Sequence, residues 1–331
     1  MSRSAGLALG FAADRVFGDP ARFHPVAGFG RVAAALEHRM YGDSRARGAA
    51  YTFLLVGATA AFGAAVERGT RDRPIAHTLA TAAATWTVLG GTSLGRESST
   101  LQGQLECGHL AAARVQLTHL VGRDTTRLDA PEIARATLES LAENTSDAVV
   151  APLVWGAAAG IPGLLGYRAA NTLDAMVGHR NPRHEHFGWA SARLDDGLNL
   201  PGSRLSAALA TGLAPTVGGR SSAALQAWRR DARHHPSPNA GPVEAAFAGA
   251  LGVQLGGVNT YAGRVEDRHT LGDGPPPTVA DLARGATLAR RVGLGALAVS
   301  VAVRVAVRVA VRVAVRVGVG AAFASAPRRR T

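Results

Sequence analysis

Three carboxylates recur at every fourth position in the stretch ESLAENTSD: Glu139, Glu143 and Asp147. On a helix that spacing stacks them on one face, a turn apart. Like charges so placed repel by about 0.2–0.5 kcal/mol per pair, so the stripe needs a cation to fill it or water to dilute it. Oxygen ligands suit Mg2+, which keeps several waters and is held by only one or two carboxylates. Glu143 and Asp147 are therefore the metal candidates, and Asn144 could order a bound water. Glu139, one turn further back, reads as structural. The plain alternative is a solvated acidic face.

Two further polar stretches carry chemistry. NTLDAMVGHRNPRHEHFGWASARLDD supplies Asn171, Asp174, Arg180, Arg193, Asp195 and Asp196. Asn171 and Asp174 are three apart and share a helical face. Adjacent Asp195 and Asp196 point to different faces, so only one of them is expected at a given site. Asp174 and Asp195 are the carboxylates chosen for catalysis or for completing the metal's shell. In WRRDARHHPSPNAG, the basic groups Arg229, Arg230, Arg233, His234 and His235 approach a turn that contains Asn239. Guanidinium forks suit phosphate or carboxylate. An imidazole titrating near neutrality, His234 or His235, could take a proton from an attacking ammonium. A zinc site would need a second ligand pair at the usual spacing, which the sequence lacks. Asp14 and Asp19 in DRVFGDP read as a turn, and Asn259, Tyr261, Arg264 and Asp273 read as parts of Gly-rich loops.

The elements that must position these groups look embedded in a membrane. Hydrophobic residues make up 47% of the 331-residue chain and charged ones only 18%, low for a soluble domain. Ala49 to Val66 and Ile75 to Leu94 are long enough to cross a bilayer, and the polar link ERGTRDRP makes them a hairpin. Ala148 to Tyr167 is interrupted by Pro and Gly and reads as a broken helix, tolerable at membrane depth only when covered by protein or lining a cavity. Leu205 to Gly219 and Val243 to Val258 are too short to span. The apolar N-terminal run, Ala5 to Ala13, lacks a cleavage site and reads as a retained helix rather than a signal.

The net charge is +12, and with no lysine every basic residue is an arginine. These arginines flank apolar segments and are not interleaved with aromatics, which favours a positive-inside membrane protein over a nucleic-acid binder. The single cysteine, Cys107, excludes an intrachain disulfide and a thiolate metal cluster. No GxxxxGK[ST] loop and no GxGxxG after a strand is present, which disfavours P-loop and dinucleotide folds. The fold class expected is all-α, a multi-pass helical bundle with long, partly helical polar loops. Residues 1–300 form the membrane-embedded domain. Residues 301–331 carry the repeat VAVRVAVRVAVRVAVR and a basic tail; a basic-faced interfacial helix is favoured there, with a disordered low-complexity tail as the alternative.

ESLAENTSDAVVAPLVW, NTLDAMVGHRN, FGWASARLDD, RRDARHHPSPNAG and GDP…HPV together, in this order, resemble the membrane-bound adenosylcobinamide-phosphate synthase family of cobalamin biosynthesis. The resemblance covers roughly residues 5 to 300, whereas the arginine repeat departs from it. It implies an amide-forming ligase that joins cobyric acid to aminopropanol or its O-phosphate. ATP and Mg2+ are the cofactors expected of that reaction. The lipid bilayer, and other membrane-associated enzymes of cobalamin assembly, are the partners implied, at the cytoplasmic face of the cell membrane. Residue chemistry then assigns Asn144, Asn171, Arg180, Arg193, Arg229, Arg230, Arg233 and Asn239 to substrate binding. A multi-pass transporter and a Mg2+-dependent transferase acting on a phosphorylated alcohol are the competing readings, and the uncharged spans disfavour transport. A single site requires the polar stretches 96–147 and 168–204 to share one side of the membrane. Reporter fusions in the two stretches are expected to report the same side, and opposite sides would remove the single-site arrangement.

Overall fold

A computed structural model describes residues 2–18, 24–179, 181–261 and 264–324. Asp19 and Arg180, singled out above, lie outside the described residues. Helices dominate: α1 Ser2–Phe17, α2 Pro25–Met40, α3 Arg45–Thr70, α4 Pro74–Val88, α5 Gly91–Glu106, α6 Leu110–Leu117 and α7 Ala130–Thr145, then α8 Ala151–Ala159, α9 Ile161–Leu173, α10 Trp189–Leu213, α11 Ser221–Asp231, α12 Ala240–Leu251 and α13 Val279–Ala324. The all-α expectation holds but for one antiparallel hairpin, β1 Leu255–Tyr261 and β2 Arg264–Leu271. Asn259, Tyr261 and Arg264 therefore stand on strands rather than in loops. Neither VNTY nor RVEDRHTL alternates apolar with polar residues, so no period-two signal marks the hairpin in the sequence.

Local chemistry starts the helices. Asp129 accepts from the Glu132 amide while Glu132 accepts from the Asp129 amide, both at 2.9 Å, a reciprocal cap on α7. His24 caps α2 through Nδ1, 3.1 Å from the Val26 amide, and Pro25 opens the helix.

Among the described residues, two helices are long and apolar enough to cross a membrane: α3 and the Val279–Val307 part of α13. Phe53, Leu54 and Phe62 face outward from α3. The second arm of the expected hairpin, Ile75 to Leu94, is not one helix. α4 stops after 15 residues at Val88, about 22 Å at 1.5 Å per residue, short of a bilayer core of about 30 Å. Leu89 is extended, and the chain re-enters a helix at Gly91. The arginine repeat continues α13 without a break at residue 300, as the expected helix.

The interior is built on α12, all twelve of whose residues are buried. Small residues let α10, α11 and α7 approach it. A second core gathers Ala33, Tyr51, Leu55, Leu173, Val177 and Phe187, so α2, α3 and the end of α9 hold the segment that leads into α10. Gly160 separates α8 from α9 at φ 75°, and a side chain there would strike Glu67 and Arg3. This is the break expected in that apolar run.

Arg123 and Glu139 form a nearly inaccessible ion pair, 4% and 2% exposed. Glu139 also accepts from the Gly256 amide at 2.8 Å, and Arg123 donates to Asn259 at 2.6 Å. The pair anchors the β-hairpin on α7. Removing one partner strands the other charge, so Glu139→Ala is expected to destabilise the fold by about 3–5 kcal/mol, while Arg123→Leu combined with Glu139→Leu recovers most of the loss. Thermal unfolding in detergent measures both.

Candidate functional site

Glu143, Asp147, Asp174, Asp195 and Asp196 line one cavity of about 70 Å3, together with Ser146, Asn199, Ser237, Asn239, Ala240 and Val243. Residues distant in sequence meet there because two helices widen into a π turn where a carboxylate is needed.

The first π turn, Ser146–Val150, follows α7 and carries Asp147. Its cause is Pro152, which has no amide proton and whose ring crowds the carbonyl four residues back. That carbonyl, on Ala148, instead accepts from the Gly90 amide at 3.1 Å. The interruption of α4 and α5 at Leu89–Gly90 thus satisfies the interruption between α7 and α8. The second π turn, Asp174–Gly178, ends α9 and carries Asp174. Gly178 is required there, since a side chain would collide with the Asp174 carboxylate. Single π turns of this kind are concentrated at functional sites.

α10 contributes Asp195, Asp196 and Asn199. Its start is set by the segment 181–188, clasped to α2: Arg183 and His184 contact Glu37 at 3.1 and 3.0 Å. Asp195 and Asp196 both reach the cavity, against the expectation that adjacency would exclude one. The cavity lies against the side of α10 and extends round it, so residues about 100° apart both border it. Asp196 stands nearer the outside, 3.6 Å from Arg193, which is 63% exposed.

Amides tether the carboxylates. Asn171 donates to Asp195 at 3.3 Å and to Asp147 at 3.5 Å. Asn199 donates to Asp195 at 2.9 Å and accepts from the Tyr167 hydroxyl at 2.6 Å. On the opposite wall the Asn239 amide group donates to the Asp196 carbonyl at 2.8 Å, while its oxygen accepts from Ser203 and Arg204 at 2.9 Å each.

Burial and the neighbouring charges of Asp195, Glu143 and Asp174 raise Asp147 well above the carboxylate range, with Arg168 opposing. Burial, then Asp196 and Glu143, lift Asp174 to about 6. Asp195 rises to about 7 through burial and Asp174, against the hydrogen bonds of Asn199 and Asn171. The cavity therefore favours cations and holds protons when none is bound. Among the described residues, no three carboxylate, imidazole or thiolate groups stand in position to ligate one ion together.

The remaining candidates are dispersed. Asn144 turns back to Ser140, donating to its carbonyl at 2.9 Å. Arg230 is engaged by Asp231 and Asp273, at 2.5 and 2.7 Å, and Arg229 and Arg233 are exposed. Neither histidine lines the cavity. His234 is exposed and lies against His269, ring centroids 5.8 Å apart, and His235 is buried behind the Ser237–Asn239 wall. The turn that follows these residues does reach the site, but the basic groups do not converge with it, because α11 and its 3-10 end direct them outward. Asn199, Ser146 and Ser237 were missed. Asn199 is recoverable from its spacing, four after Asp195; nothing local marks the two serines.

The fold and site define a helical protein with an internal acidic, cation-accepting cavity and two helices able to cross a membrane. The sequence matches the family described as CobD/Cbib protein over residues 7–289. It is 53% identical over 301 residues to the cobalamin biosynthesis protein CobD of Mycobacterium tuberculosis strain H37Rv, covering 91% of this chain and 95% of that one. It is 44% identical to the cobalamin biosynthesis proteins CobD of Geobacter metallireducens and Rhodobacter capsulatus, over 82% and 83% of this chain and 87% and 88% of theirs. The chain belongs to the CobD/CbiB family of cobalamin biosynthesis. No solved structure matches it.

The raised carboxyls fix a sign for the pH dependence of stability. Between about pH 4 and pH 7 the folded protein keeps protons on Asp174 and Asp195 that the unfolded chain has released, so stability falls as pH rises through that window. Asp195→Asn removes part of the slope and is expected to be stabilised by about 1–3 kcal/mol at pH 8 without divalent cations. Melting curves of both proteins from pH 5 to 8 test this.

Proposed function

We propose that this protein is an adenosylcobinamide-phosphate synthase, an acid–amine ligase that joins a propionate carboxyl of cobyric acid to aminopropanol or its O-phosphate with ATP hydrolysis. The observation that carries the reading is the convergence of five acidic side chains on one cavity in a chain of the cobalamin-biosynthesis family. An unactivated carboxylate needs a leaving group before an amine can displace it, and an acyl phosphate made from ATP supplies one. The amine nitrogen then bonds to the acyl carbon, the carbon–oxygen bond to phosphate breaks, and the protons lost from nitrogen pass to a base.

The donor set fits Mg2+: it is all oxygen and crowded with like charge, and such an ion is held through one or two carboxylates with its remaining waters intact. Glu143 and Asp147 would hold it, and when bound it would neutralise phosphate charge during phosphoryl transfer. Asp195, at about 7, is matched to accept a proton near neutral pH. This role moves there from His234 and His235, which stand away from the cavity. Arg193, at the rim, is placed for the anionic periphery of a substrate. The protein works as a multi-pass membrane enzyme with the cavity open to the cytoplasm, where ATP is found.

Purified protein in lipid nanodiscs, given cobyric acid, aminopropanol phosphate, ATP and Mg2+, is expected to form the amide, detected by mass. Glu143→Gln and Asp147→Asn are expected to fold normally and lose about 100-fold or more in rate, as for removal of a group that stabilises transition-state charge. Full activity in both variants removes the metal assignment. Absence of amide from the wild-type protein removes the ligase reading in favour of transport or transfer.

A further inference from the structure

Behind the cavity wall lies a second polar pair that the proposed reaction does not use. Glu244 sits on α12, four residues after Ala240 and next to Val243, both of which line the cavity. It is 0% exposed, and among the described residues neither of its carboxyl oxygens has a hydrogen-bond partner. Its neighbour is His235, 7% exposed, whose Nε2 lies 3.8 Å from Glu244 Oε2 and is likewise without a hydrogen-bond partner.

We propose that His235 and Glu244 are a buried positioning pair that holds the Ser237–Asn239 wall of the acidic cavity in place. The proposal rests on the reading of that cavity as the reaction site. The Ser237 amide donates to His235 Nδ1 at 3.1 Å. The Ser237 carbonyl stands 3.3 Å from the same nitrogen, so the ring is tied to Ser237 through Nδ1 and turns Nε2 toward Glu244. Ser237 Oγ in turn accepts from the Asn239 and Ala240 amides at 3.3 and 3.1 Å, which opens α12. Asn239 then bridges to Ser203, Arg204 and the Asp196 carbonyl. The imidazole is thus the inner end of a run of contacts that finishes on a cavity carboxylate's own backbone. Gly241 lets α12 lie close to His235: a side chain there would meet His235 Cβ at 2.7 Å.

Burial first, and then the charges around the pair, shift both groups. Glu244 faces Glu139 and Glu143 of α7, with Arg268 and Arg123 opposing them. His235 faces Arg268 of β2, with Glu139 and Glu266 on the other side. Burial raises the glutamate and pushes the histidine down to about 4, so the imidazole is uncharged near neutral pH.

The test uses full-length protein in nanodiscs, with hydrogen exchange of the peptide around 236–240 and amide synthesis measured side by side. His235→Asn keeps an acceptor near the Nδ1 position, whereas His235→Phe keeps the bulk and loses it. His235→Phe is expected to speed exchange of that peptide by about 10-fold or more, as for loss of a buried hydrogen bond, and to lower kcat/KM by about 10–100-fold through a misplaced wall. His235→Asn is expected to restore both to within about 5-fold of wild type, and Glu244→Gln to leave the pH profile unmoved. Unchanged exchange in His235→Phe, or a shifted pH profile in Glu244→Gln, overturns the proposal; the second result would place the pair in proton transfer. If His235→Phe does not fold, the other two variants decide: a loss beyond about 5-fold in either overturns the positioning role. A wild-type protein that makes no amide defeats the ligase reading alone, because the exchange comparison is read without substrate.

Discussion

Carboxylates crowded into a small, largely buried cavity repel one another and resist losing their water. Glu143, Asp147, Asp174, Asp195 and Asp196 do both, and the surrounding fold can be read as what keeps them together. Asn171 and Asn199 donate to the carboxylate oxygens, Tyr167 fixes Asn199, and Asn239 closes the opposite wall. Each offers a hydrogen bond without a full positive charge. Arg168 opposes the rise at Asp147 without cancelling it, so the cavity keeps its excess of carboxyl groups. The contrast is Glu139, one turn from Glu143, where Arg123 supplies a close ion pair and the result is an anchor.

Two helix irregularities make the convergence possible. A regular α-helix through Asp147 would have required an amide proton from Pro152, which has none. The widened turn resolves this, and the Gly90 amide takes up the stranded Ala148 carbonyl. The interruption in the apolar run 75–94 thus has a partner in the interruption at 146–150. Asp174 repeats the device at the end of α9, with Gly178 leaving room for its carboxylate. Around them α12, buried along its whole length, is the surface on which the wall from Ser237 to Val243 is laid.

Much of the helical content was legible in the sequence because its signals are local. Asp129 with Glu132 marks the start of α7, Pro74 opens α4, and Gly160 breaks the run between α8 and α9. The acidic stripe was equally readable, since helical spacing alone puts Glu143 and Asp147 on one face. The β-hairpin was not, because its strands are short, polar and bounded by glycines. The ends of the apolar run 75–94 were misjudged for a related reason. Hydropathy counts residues without seeing that the helix stops at Leu89 and the Gly90 amide meets the Ala148 carbonyl.

The sequence by itself determined the class of the protein, the helical character of the chain and the residues Glu143, Asp147, Asp174 and Asp195, because residue type, spacing and motif order are properties of neighbours along the chain. The tertiary structure decided what those residues share. It brought both Asp195 and Asp196 to the same cavity, and it turned Arg229, Arg230, Arg233 and His234 away from it. It also placed His235 behind the wall, against Glu244. These outcomes depend on which faces of α7, α10 and α12 pack together, and burial against a distant helix has no local signature. The same separation holds along the acidic stripe. Its period is a local property, but whether a carboxylate meets Arg123 or an open cavity depends on the neighbours that packing supplies.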